Sequence, residues 1–96
     1  MAVHSNNYWL RDIANGTTTK SDNEWLRIIA GGTGLKTNNT WLKQLATPFI
    51  TIPANSARVM SDNWYLQTIA EGTDVHTLGV KSDNHWLEYI ATNNIL

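Results

Sequence analysis

The side chains with the most chemical reach in this chain are aromatic. Five tryptophans, Trp9, Trp25, Trp41, Trp64 and Trp86, stand among 96 residues. Indole faces stack on pyranose rings, so exposed tryptophans would bind sugar. The pairs Asp22-Asn23, Asp62-Asn63 and Asp83-Asn84 bring calcium to mind, but a helix-loop calcium site needs alternating carboxylates, a central glycine and a distal bidentate Glu. None of the segments offers that set. His4, His76 and His85 contain no pair at the i, i+4 spacing of a helical zinc site. Cysteine is absent, which removes thiolate nucleophiles, disulfides and Cys-based zinc sites. Glu71, Asp74 and Glu88 stand apart, with no companion that would make a catalytic carboxylate pair. Gly31-Gly32-Thr33-Gly34 follows a helical pattern and lacks the Lys-Ser/Thr of a phosphate loop. No nucleophile, base and orienting acid assemble into a triad. The expectation is a protein that is not an enzyme and uses no cofactor and no metal.

Four of the five tryptophans are set by a repeat. Five gapless segments begin at Ser5, Ser21, Thr37, Ser61 and Ser82 and share the pattern [ST]-[DN]-N-x-[WY]-L-x-x-[IL]-A, usually continued by x-G-T. A regular internal period of this kind is the mark of a repeat architecture. Trp9, Trp25, Trp41 and Trp86 occupy one register position, and Tyr65 takes it in the fourth copy. Trp64 falls one place earlier.

Each copy predicts a short helix. Ser or Thr at the first place is a favoured N-cap, because its side-chain oxygen accepts from an early N–H that has no helical partner. Asp22, Asp62 and Asp83 suit the positive end of the helix dipole. Glu24 could complete a capping box. Gly16, Gly32 and Gly72 are placed to stop the helix in the left-handed conformation; Pro48 could stop the third copy, and Asn93 or Asn94 the fifth. Within each copy, residues such as Trp9, Leu10, Ile13 and Ala14 cover an arc of about 140°. A helix of about 10 residues is about 15 Å long and marginal by itself in water, so these stripes must pack on one another or on another protein. Val3, Leu35, Val59 and Val80, two residues before the cap, are expected to fold over the first turn as hydrophobic staples.

The fold class expected is mainly α: five short capped amphipathic helices in a degenerate repeat, in one small domain over 1–96, with helical repeats at about 5–17, 21–33, 37–47, 61–73 and 82–93. Phe49-Ile50-Thr51-Ile52, between Pro48 and a turn at Pro53-Ala54-Asn55-Ser56, is β-prone and predicts a hairpin or extended arm near 48–60. Residues 74–81 alternate weakly and predict a single extended stretch. Trp9, Trp25, Trp41, Tyr65 and Trp86 are candidate core or interface residues. Trp64, off the stripe, is the candidate exposed contact.

The net charge of −1 argues against a nucleic-acid partner, although Lys20, Lys36 and Lys81 recur just before caps. No apolar run approaches the roughly 20 residues of a membrane span. Met1 to Asn6 show no basic n-region or apolar h-region, so no secretory signal is expected.

The segment Ser21-Asp22-Asn23-Glu24-Trp25-Leu26-Arg27-Ile28-Ile29-Ala30 and its four relatives resemble the short-helix motif of small structural proteins of tailed bacteriophages, among them decoration, adaptor and fibre-associated chains. The resemblance covers about half of the chain. It implies a non-enzymatic virion component, assembled in the host cytoplasm, whose partners are other virion proteins and copies of itself. Attachment would come from multivalent docking of repeated helix faces. Capsid decoration or cementing comes first, then a tail or head-to-tail adaptor or fibre anchor. The alternative from another class is a tandem-repeat carbohydrate-binding module built on exposed tryptophans.

Overall fold

The computed structural model describes residues 3–96. The expected lack of a leader rests partly on Met1 and Ala2, which lie outside the described residues. Five helices carry the repeated motif: α1 (Asn6–Ala14), α2 (Asp22–Ala30), α3 (Asn38–Ala46), α5 (Asp62–Glu71) and α6 (Asp83–Thr92). A single helical turn, α4 (Pro53–Ser56), lies between α3 and α5. Each of the five begins the same way. The side-chain oxygens of Ser5, Ser21, Thr37, Ser61 and Ser82 accept from the backbone N–H three residues on, at 3.1–3.2 Å. Each such cap stabilises its helix by about 1 kcal/mol. The capping box expected at Glu24 does not close, because its carboxylate pairs with Lys20 at 3.3 Å instead.

The helix ends correct one assignment. The left-handed residue is Asn15 in α1 (φ 58°) and Gly31 in α2 (φ 69°), one place before the glycines expected there. The amides of Gly16 and Gly32 reach back to the carbonyls of Arg11 and Arg27, which completes a Schellman stop. Gly16 and Gly32 are required for another reason. A Cβ at Gly16 would overlap the indole of Trp25, and one at Gly32 the indole of Trp41. Gly72 does take the left-handed conformation (φ 72°), and Asn94 (φ 52°) does so after α6.

The helices close into a ring. α1 packs on α2, α2 on α3, α3 on α5, α5 on α6, and α6 returns to α1. The body measures 38 × 35 × 18 Å, and its short dimension is close to the length of one helix, about 15 Å. Every junction carries the same bond. The Asn two places after the cap sends its side-chain NH2 to the next copy, where it donates to the backbone carbonyl before the cap and to the Asp or Asn after it. Asn7 reaches Lys20 and Asp22 (both 2.8 Å), Asn23 reaches Lys36 and Asn38 (2.8 and 2.7 Å), and Asn39 reaches Met60 and Asp62 (both 2.8 Å). Asn63 reaches Lys81 and Asp83 (2.8 and 2.7 Å), and Asn84 closes the circle on His4 and Asn6 (2.7 and 2.9 Å). The two protons of one amide group are thereby used on two acceptors, which a carboxylate could not do.

The stretch at 48–60 differs from expectation. It holds a 3-10 turn (Thr47–Phe49) and the turn α4, joined through extended backbone at Ile50 and Ile52. No strand occurs among the described residues. Pro48 and Pro53 sit in the first turns of these pieces, where a fixed φ helps, and their missing N–H groups would interrupt a hairpin ladder. Residues 74–81 likewise form bends rather than one extended stretch, with Gly79 at φ 76°.

Two substitutions test the junctions. Asn39→Ala removes both bonds to the next copy and should lower the unfolding free energy by about 1–3 kcal/mol in a urea titration. Gly32→Ala drives a methyl into the Trp41 ring and should cost about 1–3 kcal/mol, with a changed near-ultraviolet dichroism signal from the displaced indole. Parent-like stability of Gly32→Ala would disprove the close-approach role of that glycine.

Candidate functional site

Trp9, Trp25, Trp41, Tyr65 and Trp86 are buried inside the ring, the least enclosed being Trp9 at 7% exposure. The Nε1–H groups of Trp9, Trp25, Trp41 and Trp86 meet no acceptor among the described residues; a buried donor left unpaired costs about 1–3 kcal/mol. Burying about 200 Å² of indole at about 25 cal/mol per Å² returns about 5 kcal/mol, so packing wins. In the fourth copy the phenol of Tyr65 accepts from the Met60 N–H at 3.0 Å. None of these five rings is open to a sugar. Trp64 is half-buried, edge-on to Tyr65 (centroids 5.6 Å apart) and tilted against His76 (4.9 Å).

Three surfaces remain. The first is axial. Leu10, Leu26, Leu42, Leu66 and Leu87 surround a central cavity of about 60 Å³ together with the residue after each cap, Asn6, Asp22, Asn38, Asp62 and Asp83. The N-terminal turns of all five helices therefore meet there. Their dipoles add, and the three aspartates oppose that positive potential. The cavity has room for a few waters. Among the described residues, no three His, Asp or Glu side chains are grouped so as to hold a metal ion, and no helix is long and apolar enough to cross a membrane.

The second surface is a set of apolar side chains preceding the caps. Val3, Leu35, Val59 and Val80 are 91%, 98%, 79% and 91% exposed, and the polar Thr19 is exposed at the same place in the second copy. The staples expected here do not form, because the next residue fills that space. Lys20 and Lys36 hold their Nζ atoms 5.9 Å from the Trp25 and Trp41 rings, and His4 lies edge-on to Trp9 at 5.0 Å. Side chains alternate in extended backbone, so turning this residue inward turns its predecessor outward.

The third surface is built by the two departures from the 16-residue spacing. Asp74, buried, accepts from Thr51 Oγ1 (2.9 Å), Ile52 N–H (2.9 Å) and Asn55 Nδ2 (3.1 Å), which ties the loop after α5 to the segment around α4. Burial alone would raise its pKa, but these bonds outweigh that and hold it well below the usual carboxylate range. Glu71 accepts from the backbone N–H and hydroxyl of Thr77 (3.0 and 3.2 Å) and from Gln67 Nε2 (2.6 Å). It too is held low, burial again being exceeded by hydrogen bonds. His76 lies between these anchors, 2.8 Å from Thr68 Oγ1 through Nε2. Burial lowers its pKa, against a smaller opposing pull from Glu71 and Asp74. The loop thus places His76 beside Trp64, and the two line a groove of about 470 Å³ with Ser61, Asn63, Gln67 and Gly79.

Comparison with protein-family models, with curated proteins and with solved structures returned no match.

Sequence reasoning located the cap, the stripe and the odd position of Trp64, and missed the junction Asn, the Asp74 clamp and the groove. For the Asn a signal existed: it is unchanged in all five copies, although capping needs only the residue two places before it.

Because the folded pKa of Asp74 is depressed, its stabilising bonds are complete above the unfolded value of about 3.9 and are lost as pH falls through the folded value. The amides of Ile52 and Asn55 should therefore hold their NMR positions from neutral pH down past about 3.9 and shift only in stronger acid. Asp74→Asn, which sets a donor against donors, should loosen 50–57 at neutral pH while the five long helices persist. A transition of the Ile52 amide centred on the ordinary carboxylate value would contradict the clamp.

Proposed function

We propose that the chain is a non-enzymatic structural component of a bacteriophage particle, a capsid decoration or cementing protein first and a tail, head-to-tail or fibre adaptor second. It would reside on the virion, with other virion proteins and its own copies as partners. The observation that carries this reading is the nearly complete exposure of Val3, Leu35, Val59 and Val80 at one register position of a closed ring. The helix stripes are spent on closing the ring, so the docking elements are the apolar residues ahead of the caps rather than the helix faces. Isolated apolar side chains on a surface are ordinary; recurrence at one place in four copies of five is what gives these a role. Each Val or Leu, fully buried, contributes about 1.5–3 kcal/mol. One such contact is transient. Several on one rigid body act at high effective concentration and hold it in place, and a particle surface presents repeated partners. The phage-like motif in all five copies supports the same setting.

The test uses particles purified from cells that produce the phage or prophage encoding this sequence. The chain should be present in fixed proportion in the particles. A variant with Val3, Leu35, Val59 and Val80 all changed to Ser should fold as the parent does, because those side chains lie outside the core, and should be absent from the particles. A chain recovered wholly free of particles, or a variant incorporated as well as the parent, would refute the proposal.

A further inference from the structure

The groove at Trp64 serves no purpose in closing the ring. The first two junctions are made within a 16-residue spacing. The fourth carries the same Asn bonds, from Asn63 to Lys81 and Asp83, yet spends extra residues on a loop pinned through Glu71 and Asp74. That loop sets a histidine beside Trp64, whose register position is held by Tyr8, Glu24, Thr40 and His85 in the other copies.

We propose that this groove is a binding site for a single neutral sugar ring, with Trp64 as the apolar platform. Three features define the ligand. The first is charge: the side chains lining the groove are Ser61, Asn63, Trp64, Gln67, His76 and Val80, with no acid, lysine or arginine, and burial of His76 favours its neutral form. A phosphorylated or carboxylated ligand finds no counter-ion here.

The second feature is the polarity of the fixed groups. Gln67 is 5% exposed, and its Nε2 is committed to Glu71 (2.6 Å) and Gly79 (3.0 Å). Its Oε1 has no partner among the described residues and is held still. Asn63 spends its NH2 on the junction to Lys81 and Asp83 and likewise leaves Oδ1 unused. The Thr68 hydroxyl donates to the Trp64 carbonyl at 2.9 Å, so at 2.8 Å the bond with His76 is donated by Nε2–H, and Nδ1 keeps a free lone pair. Three immobilised acceptors call for a ligand rich in O–H donors. The remaining donors are Trp64 Nε1–H and the Ser61 hydroxyl, whose oxygen already accepts from the Trp64 amide at 3.1 Å. The third feature is size: about 470 Å³ lies within the range of about 300–1,000 Å³ for small-molecule sites. One aromatic face with hydroxyl-directed acceptors around it matches a pyranose.

The experiment is an NMR titration of the full chain with glucose, galactose, mannose and N-acetylglucosamine, beside glucuronate and glucose 6-phosphate. At least one neutral sugar should shift the Trp64 indole N–H and the Gln67 side-chain amide with a Kd on the order of millimolar, and saturation transfer should place the sugar C–H face on Trp64. Trp64→Thr, which copies the residue at this place in the third repeat (Thr40), should keep the fold and weaken binding at least tenfold. If that variant unfolds, saturation transfer on the unaltered chain decides. No neutral sugar shifting Trp64, equal binding by folded Trp64→Thr, or tighter binding of the charged sugars overturns the proposal.

Discussion

The structure depends on a side-chain amide that spans each gap between neighbouring helices. Short helices have little stability of their own, and a linear stack of them would leave two ends to be capped. Here the Asn after each N-terminus binds the next copy at its backbone and at its first helical residue simultaneously. Both acceptors lie next to the cap, so one bond sets the spacing, the register and the sense of the neighbouring helix. Repeating a fixed displacement five times returns to the start, and Asn84 meets His4 and Asn6 as Asn7 meets Lys20 and Asp22. The chain therefore has no uncapped end of the stack. Apolar burial, the indoles included, is non-directional; the amides supply the direction.

That division of labour explains what the sequence revealed. Apolar periodicity and the Ser/Thr caps follow from local chain physics, so the five long helices and their buried stripes could be read from Trp25, Leu26 and Ile29 and their equivalents. The junction role of the asparagine is not legible in one segment, because Ser-Asp-Asn has a sufficient local explanation in capping. Its partner lies in the next copy, and pairing across copies leaves no trace in a single segment except invariance. Gly16 and Gly32 were misjudged for a similar reason: their value lies in the ring that fills the space above them. Asp74 was harder still. Its partners at 51–55 have no pattern in common with it, and only the folded ring brings them near.

The ring also explains why variation is confined to certain places. The position of Trp64 holds Tyr8, Glu24, Thr40 and His85 in the other copies, each exposed or half-buried. Such a position is open to change without cost to the junctions. The cap, the Asn, the aromatic, the Leu and the Ala are not. Tyr65 shows how narrow the margin is. The copy before it has Pro48 where the first two have a close-approach glycine, and the ring that follows is the smaller phenol, with its hydroxyl bonded to Met60 rather than buried without a partner.

Rigidity and asymmetry then divide the surface between two tasks. The four apolar residues before the caps are held outward because the side chain after each of them is turned inward, so their spacing is set by the ring and not by loop motion. Ordering entropy, which weakens the docking of flexible segments, has already been spent in folding. The two longer connections sit together, joined by Asp74, and leave the rest of the ring regular. A contact that needs repetition can use the residues before the caps, and a contact that needs a particular pocket can use the edge built by the insertions, with Val80 common to both. Neither requires the ring to open, since the bonds that close it are shared by neither surface except at Asn63, whose NH2 belongs to the junction and whose oxygen belongs to the groove.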